Sequence, residues 1–200
     1  MAPVVIVALG DSTTAGTPLF ESPLEAPPDG RGDERSQYAY WLMARHPDWR
    51  VLNRGVNGER SDQIRARFDR DVLGEEPAAV VIIAGVNDIY QGRAVDEIER
   101  HLAAIYARAL AAGIKVLAGT IVPFNTASPE QNRRMRAVND WIRRQPAGDA
   151  NISSVETRHA VASPADPDCL ISSPDDLHPS VDGYRRMADA IRSSLEQRLR

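Results

Sequence analysis

The chain has 200 residues, 42% of them hydrophobic, enough to build one substantial core over 1–200 without metal or disulfide staples. Its 28 acidic residues outnumber the 24 basic ones, and a formal charge of -4 supplies no overall field to draw in nucleic acid or an anionic membrane. The one cysteine, Cys169, has no partner for an internal disulfide, so nothing here favours an oxidising compartment.

Val4 to Leu9 is apolar, lacks a basic n-region and is too short to span a bilayer, so it reads as a buried first strand. A cytoplasmic location is expected unless a leader precedes the numbered chain. Thr17 to Ser36, carrying Pro18, Pro23, Pro27, Pro28, Gly30 and Gly32, predicts a long surface loop that either rims a pocket or is a plain insertion. A helix over Gln37–Arg45 leads to a short strand over Arg50–Asn53. Ser61 then reads as the N-cap of a helix reaching Val72. Strand three is Ala79–Ala84, and a helix over Val95–Ala112 stops at Gly113 before strand four, Lys115–Ile121. Pro129 opens a helix to Arg144, Ile152–Val155 is a weaker fifth strand, and a Pro/Asp/Ser-rich stretch, Ser163–Asp176, precedes a closing helix over Asp182–Leu199. Short apolar strands alternating with helices predict an α/β fold, a parallel sheet of about five strands covered on both faces as a three-layer α/β/α sandwich.

Ligands of such sheets bind beyond the carboxyl ends of the strands, where turns enter helix N-termini. Gly10-Asp11-Ser12 lies at such an edge, and a hydroxyl there faces free N–H groups and the positive end of a helical turn. Taken alone, Ser12 is more often a helix cap than a nucleophile. Near the other end, Asp175 and His178 are spaced so that the carboxylate can bond Nδ1–H and leave Nε2 to take a proton from serine. A lone Asp-x-x-His is itself more often a solvated pair before a helix. His46 sits at a helix end, His101 lies inside a helix with Glu97 as a surface partner, and His159 falls in an irregular segment, so His178 is the best base. Donors for an oxyanion come from Asn53-Arg54-Gly55-Val56-Asn57-Gly58 and from Gly85-Val86-Asn87-Asp88, each following a strand.

Gly-Asp-Ser near the start, a glycine after strand two, Gly-x-Asn-Asp after strand three and Asp-x-x-His near the end resemble the ordered blocks of the SGNH/GDSL hydrolases, over most of the chain. Thr13 stands where that family's eponymous leucine would be. The resemblance implies a flavodoxin-like sandwich, with Ser12 as nucleophile, His178 as base and Asp175 as its orienting partner. It also implies an oxyanion hole formed by the Ser12 N–H, Gly58 N–H and Asn87, Gly58 being preferred to Gly55 because the family glycine usually closes the Asn-x-x-x-x-Gly stretch. Asp11 and Asp88 are expected to hold turns, and Val122-Pro123-Phe124 either lines the pocket or is a plain strand exit. No metal or organic cofactor is required. The expected substrate is a small ester carrying a short acyl chain, with acetylated sugars among the candidates; oligomeric state stays open.

Three rival readings remain. Asp11-Ser12-Thr13-Thr14-Ala15-Gly16-Thr17 also fits the phosphate loop of an FMN-binding module, although that reading places an aspartate against a phosphate. A catalytically idle binding domain could use the same scaffold. Arg133, Arg134, Arg136, Arg143 and Arg144 raise nucleic-acid binding, but arginines on one helix are commonly just a solvated face, and no nucleic-acid partner is expected.

Overall fold

The computed structural model describes residues 2–199. In chain order it contains β1 (Val4–Gly10), α1 (Ser12–Ala15), β2 (Phe20–Glu21), β3 (Arg31–Gly32), α2 (Tyr38–Arg45), β4 (Trp49–Gly55), α3 (Ser61–Ala66), α4 (Phe68–Asp71) and β5 (Ala79–Ile83). It continues through α5 (Val86–Tyr90), α6 (Val95–Ala111), β6 (Lys115–Gly119), α7 (Pro129–Arg144), β7 (Ile152–Val155), α8 (Thr157–Val161) and α9 (Val181–Arg198). Five strands form one parallel sheet in the order β4-β1-β5-β6-β7. The chain leaves β1 for one side of the sheet and returns to β5 on the other. That reversal opens a crevice at the carboxyl ends of β1 and β5, the switch point at which flavodoxin-like sheets bind ligands.

Alternation along the strands sorts side chains into two cores. Val7 and Leu9 of β1 and Val80 and Ile82 of β5 face one helical layer, packing with Ile64, Phe68, Ile98, Leu102, Ile105 and Val138. Ile6, Ala8, Val81 and Ile83 face the other, against Tyr38, Leu42, Tyr184, Met187 and Ile191. Both faces are therefore buried, which is why β1 and β5 read as continuous apolar runs. The described residues contain no helix long and apolar enough to cross a membrane.

Several elements depart from expectation. The segment Ser61–Val72 is not one helix: α3 stops at Ala66 and α4 begins at Phe68, because Arg67 leaves helical geometry and turns its guanidinium inward. Arg60 takes the cap position, and Ser61 is the first helical residue, its N–H and hydroxyl both donating to Asp88. Gly113 lies one residue beyond the cap, Ala112, in the left-handed conformation at φ +73°, which glycine adopts without the Cβ clash of other residues. Strand β4 runs from Trp49 to Gly55, longer than Arg50–Asn53, since every residue of β1 finds a ladder partner in it. The short helices α5 and α8 have no separate periodic signal in the sequence, and His159 lies in α8 rather than in an irregular segment. The Thr17–Ser36 stretch is folded down, with β2 paired antiparallel to β3 and Phe20 and Ser22 buried.

Candidate active site

Strand β1 ends at Gly10, whose carbonyl accepts the Val56 N–H and Arg67 Nη2. A Cβ at Gly10 would lie 2.2 Å from Thr14 Oγ1 and 2.3 Å from the Ile83 carbonyl oxygen, so only glycine fits this crossing of strand and helix. Asp11 caps α1 by accepting the Thr13 N–H at 3.0 Å, and Ser12 becomes the first residue of the helix, 4% exposed. The N–H of Ser12 donates to no protein acceptor among the described residues, as expected of a first-turn amide.

The candidate base, His178, arrives from the loop before α9. Asp175 organises that loop: its Oδ1 accepts the N–H groups of Leu177 and His178, at 3.1 and 2.8 Å, while Oδ2 accepts the ring Nδ1 of His178 at 2.7 Å. Burial pushes the Asp175 carboxyl up, but these hydrogen bonds from His178 and Leu177 more than offset it and hold the group below the ordinary carboxylate value. With Nδ1 engaged, Nε2 of His178 lies 2.9 Å from Ser12 Oγ, across a sequence separation of 166 residues. Ser173 supports the arrangement by donating to the His178 carbonyl at 2.7 Å, and Asn125, beyond β6, donates to Asp176 through both backbone and side chain.

The proposed donors for an oxyanion come from three loops at this edge. Gly58 sits in the turn after β4 at φ +76°, and nothing lies within 4 Å of where its Cβ would be. Its N–H, like that of Ser12, meets no protein acceptor among the described residues. Gly55, three residues earlier, is a packing glycine: a Cβ there would be 2.1 Å from the Ala15 nitrogen. Asn87, on the first turn of α5, donates one Nδ2 hydrogen to the Glu59 carbonyl at 3.0 Å, leaving the other for the pocket it lines. Ser12, Thr13, Asn57, Asn87 and His178 share a cavity of about 200 Å³ with the apolar side chains Val86, Val122, Phe124 and Leu177, and Tyr90 stands 63% exposed at its mouth.

Asp11 and Asp88 hold turns. Asp88 anchors Ser61, whose hydroxyl also meets His101 Nδ1 at 3.0 Å, so His101 faces Ser61 while Glu97 pairs instead with Arg93. Asp11 is 1% exposed, and burial pushes its carboxyl up to about 7, with Asp88 nearby adding to the rise and the Thr13 N–H opposing it. This carboxyl occupies the end of α1 that an FMN phosphate would need, and the Thr13 and Thr14 side chains are buried, Thr14 Oγ1 lying 3.1 Å from the Tyr38 hydroxyl. On α7, Arg133 pairs with Glu130, Arg136 with Asp168, and Arg143 with Asp140 and Glu156, so these three guanidiniums are already matched by carboxylates.

Sequence reasoning missed a second ring of residues. Asn53 bridges the Ala15 carbonyl at 3.0 Å and Gln37 at 2.7 Å, and Glu25, from within the long loop, accepts the Asn57 N–H at 2.7 Å. Arg67 reaches Gly10, Glu59 and Asp71. Apart from the pairs of Arg67 with Asp71 and Glu59, these contacts join positions far apart in the chain, and no local spacing announces them.

A model described as the GDSL-like Lipase/Acylhydrolase family matches residues 8–186. An acetylxylan esterase of Geobacillus stearothermophilus is 29% identical over 170 residues, covering 75% of this chain and 74% of that one. Esterase TesA of Pseudomonas aeruginosa is 39% identical over 70 residues, 35% of either chain. Among solved structures, a lipolytic protein of the G-D-S-L family from Veillonella parvula superposes with a TM-score of 0.78 at 19% identity, covering 97% of this chain and 99% of its own. The acetyl xylan esterase AlAXEase does so at 0.76 and 23%, covering 96% and 100%.

Proposed function

The chain belongs to the GDSL-like lipase/acylhydrolase family and is a carboxylic ester hydrolase, and from that premise we propose that it cleaves short-chain acyl esters through an acyl-enzyme on Ser12. The observation that carries this reading is the 2.9 Å contact between His178 Nε2 and Ser12 Oγ, with Asp175 on the opposite ring nitrogen.

An unassisted serine hydroxyl is a weak nucleophile at neutral pH. His178 takes its proton as Oγ attacks the ester carbonyl, and Asp175 holds the ring in the required tautomer and stabilises the imidazolium. The carbonyl oxygen, now negative, is met by the N–H groups of Ser12 and Gly58 and by the free Nδ2 hydrogen of Asn87. His178 then returns the proton to the departing alcohol, leaving the acyl group on Ser12. In the second half, His178 takes a proton from water, the resulting hydroxide adds to the acyl carbon, and collapse releases the carboxylic acid and the serine hydroxyl.

The cavity's size supports a small acyl group, since about 200 Å³ lies below the span of ordinary drug-sized sites. Tyr90 presents a ring to solvent at the mouth, a surface suited to the face of a sugar. Together with the acetylxylan esterase relative, this supports acetylated carbohydrate as the alcohol side.

Turnover of p-nitrophenyl acetate, a longer p-nitrophenyl ester and acetylated xylan tests the reading. Acetate should exceed the long chain in kcat/KM. Ser12→Ala should abolish measurable turnover, and Asn87→Ala should cost about 100- to 1,000-fold in kcat. Undiminished activity in Ser12→Ala would refute the acyl-enzyme.

A further inference from the structure

We infer that Arg67 and Glu59 are positioning residues for the oxyanion hole, their partly buried ion pair tying the turn that carries Gly58 to the end of the strand that delivers Ser12. The inference rests on the serine-hydrolase reading above and adds residues that this reading leaves without a role.

Arg67 is 8% exposed, and each guanidinium nitrogen is committed to a different segment. Nε donates to Glu59 Oε2 at 2.6 Å, Nη2 to the Gly10 carbonyl at 2.9 Å and Nη1 to Asp71 at 2.6 Å. Gly10 is the last residue of β1, two before Ser12, and Glu59 directly follows Gly58. Glu59 is also held through its carbonyl, which accepts Asn87 Nδ2 at 3.0 Å. A chain of direct contacts thus runs from the nucleophile strand through Arg67 and Glu59 to Asn87, linking all three loops that supply the donors.

The turn needs such a tie. Gly58 has open space on its outer side, and the Glu59 N–H reaches the Val56 carbonyl only at 3.4 Å. Its other fastenings are the Val56 N–H, which donates to the Gly10 carbonyl at 3.1 Å, and Glu25 of the Thr17–Ser36 segment, which accepts the Asn57 N–H; neither grips Gly58 itself. Oxyanion donors act because they are fixed before charge develops, so a turn free to shift by a fraction of an ångström loses its effect on the transition state while barely changing ground-state binding. A planar fork can meet three acceptors at once, which a lysine ammonium on a flexible stem cannot reproduce. The helix break between α3 and α4 is the local consequence of aiming Arg67 inward.

Glu59→Gln and Arg67→Lys test the inference, read by kcat and KM on p-nitrophenyl acetate, inhibition by phenylboronic acid, thermal midpoint, and amide hydrogen exchange of the peptide spanning residues 56–60. In each folded variant kcat should fall about 10- to 100-fold with KM within about twofold, boronate inhibition should weaken by a similar factor, and exchange at residues 56–60 should quicken relative to β1 and β5. Folded variants with kcat, boronate inhibition and exchange all within about twofold of the parent would overturn it, as would a kcat loss unaccompanied by faster exchange. If Arg67→Lys does not fold, Glu59→Gln, which keeps the side chain's shape, decides alone. Should Ser12→Ala retain turnover, the acyl-enzyme reading fails by that result, and the exchange measurement still reports whether the pair holds the turn.

Discussion

The two halves of the proposed catalytic pair, Ser12 and His178, are built in opposite ways. The nucleophile turn, residues 10–16, is buried and held from every side by distant elements: Gly10 pairs with Gly55 and Ile83, Thr14 meets Tyr38, and Asn53 grips the Ala15 carbonyl. The proposed base loop, residues 173–178, is mostly exposed, with only Ser173 and His178 half-buried, and is fastened mostly by its own neighbours, Asp175 and Ser173 closing bonds no more than five residues long. Their carboxyls diverge accordingly. Asp175, surrounded by donors, is held below the usual range, whereas Asp11, with one oxygen buried and unpartnered, is pushed up to about 7. Burial and the donors that oppose it together decide a carboxyl's state; nearness to Ser12 does not.

Substitutions on either side sharpen this contrast. The largest effect is expected at Asp175→Asn, which preserves the loop's shape but favours the wrong tautomer of His178; kcat should fall by about 1,000- to 10,000-fold with little change in thermal midpoint. A fall below tenfold would mean that the loop needs only its geometry. Gly55→Ala should do the reverse. The added methyl would press on Ala15 at the back of the nucleophile turn, and overpacking of this kind costs roughly 1–3 kcal/mol, read as a lower midpoint in urea. An unchanged midpoint would show that the turn is softer than its packing implies.

The effect at Asp11 shows only as a dependence on pH. Its folded value is raised above the ordinary one, so its contribution to stability is complete below about pH 4 and is lost as pH rises through about 7. Asp11→Asn keeps an oxygen for the Thr13 N–H and removes the titration. The variant should gain stability relative to the parent between pH 4 and 7, on the order of a few kcal/mol at most, and hold that gain above pH 7. Parallel curves of thermal midpoint against pH for the two proteins would contradict the burial argument.

Legibility in the sequence follows the same division. The proposed base loop is local, so the spacing of Asp175 and His178 makes them a candidate pair, though not by itself a catalytic one, and the apolar runs of β1 and β5 announce a sheet covered on both faces. Ser12 could be placed at a strand end but not tied to a base by any local feature, and the family resemblance supplied the link. The break at Arg67 was invisible because the apolar period continues across it through Ile64 and Phe68, both buried in one core. The folded-down Thr17–Ser36 segment was equally hidden, since its proline and glycine content describes a turn without saying what the turn packs on.

The amino-acid order by itself determined the layered α/β architecture, the strand ends at which chemistry could occur, and the Asp-x-x-His turn, because each depends on residues within a few positions of one another. Only the tertiary structure decided that Gly55 fills a crossing while Gly58 has open space beside it, that Arg67 is aimed inward, and that an imidazole 166 residues away stands 2.9 Å from the serine oxygen. Those outcomes depend on close packing between segments remote in the chain, where space and donors are allotted only once the sheet has closed.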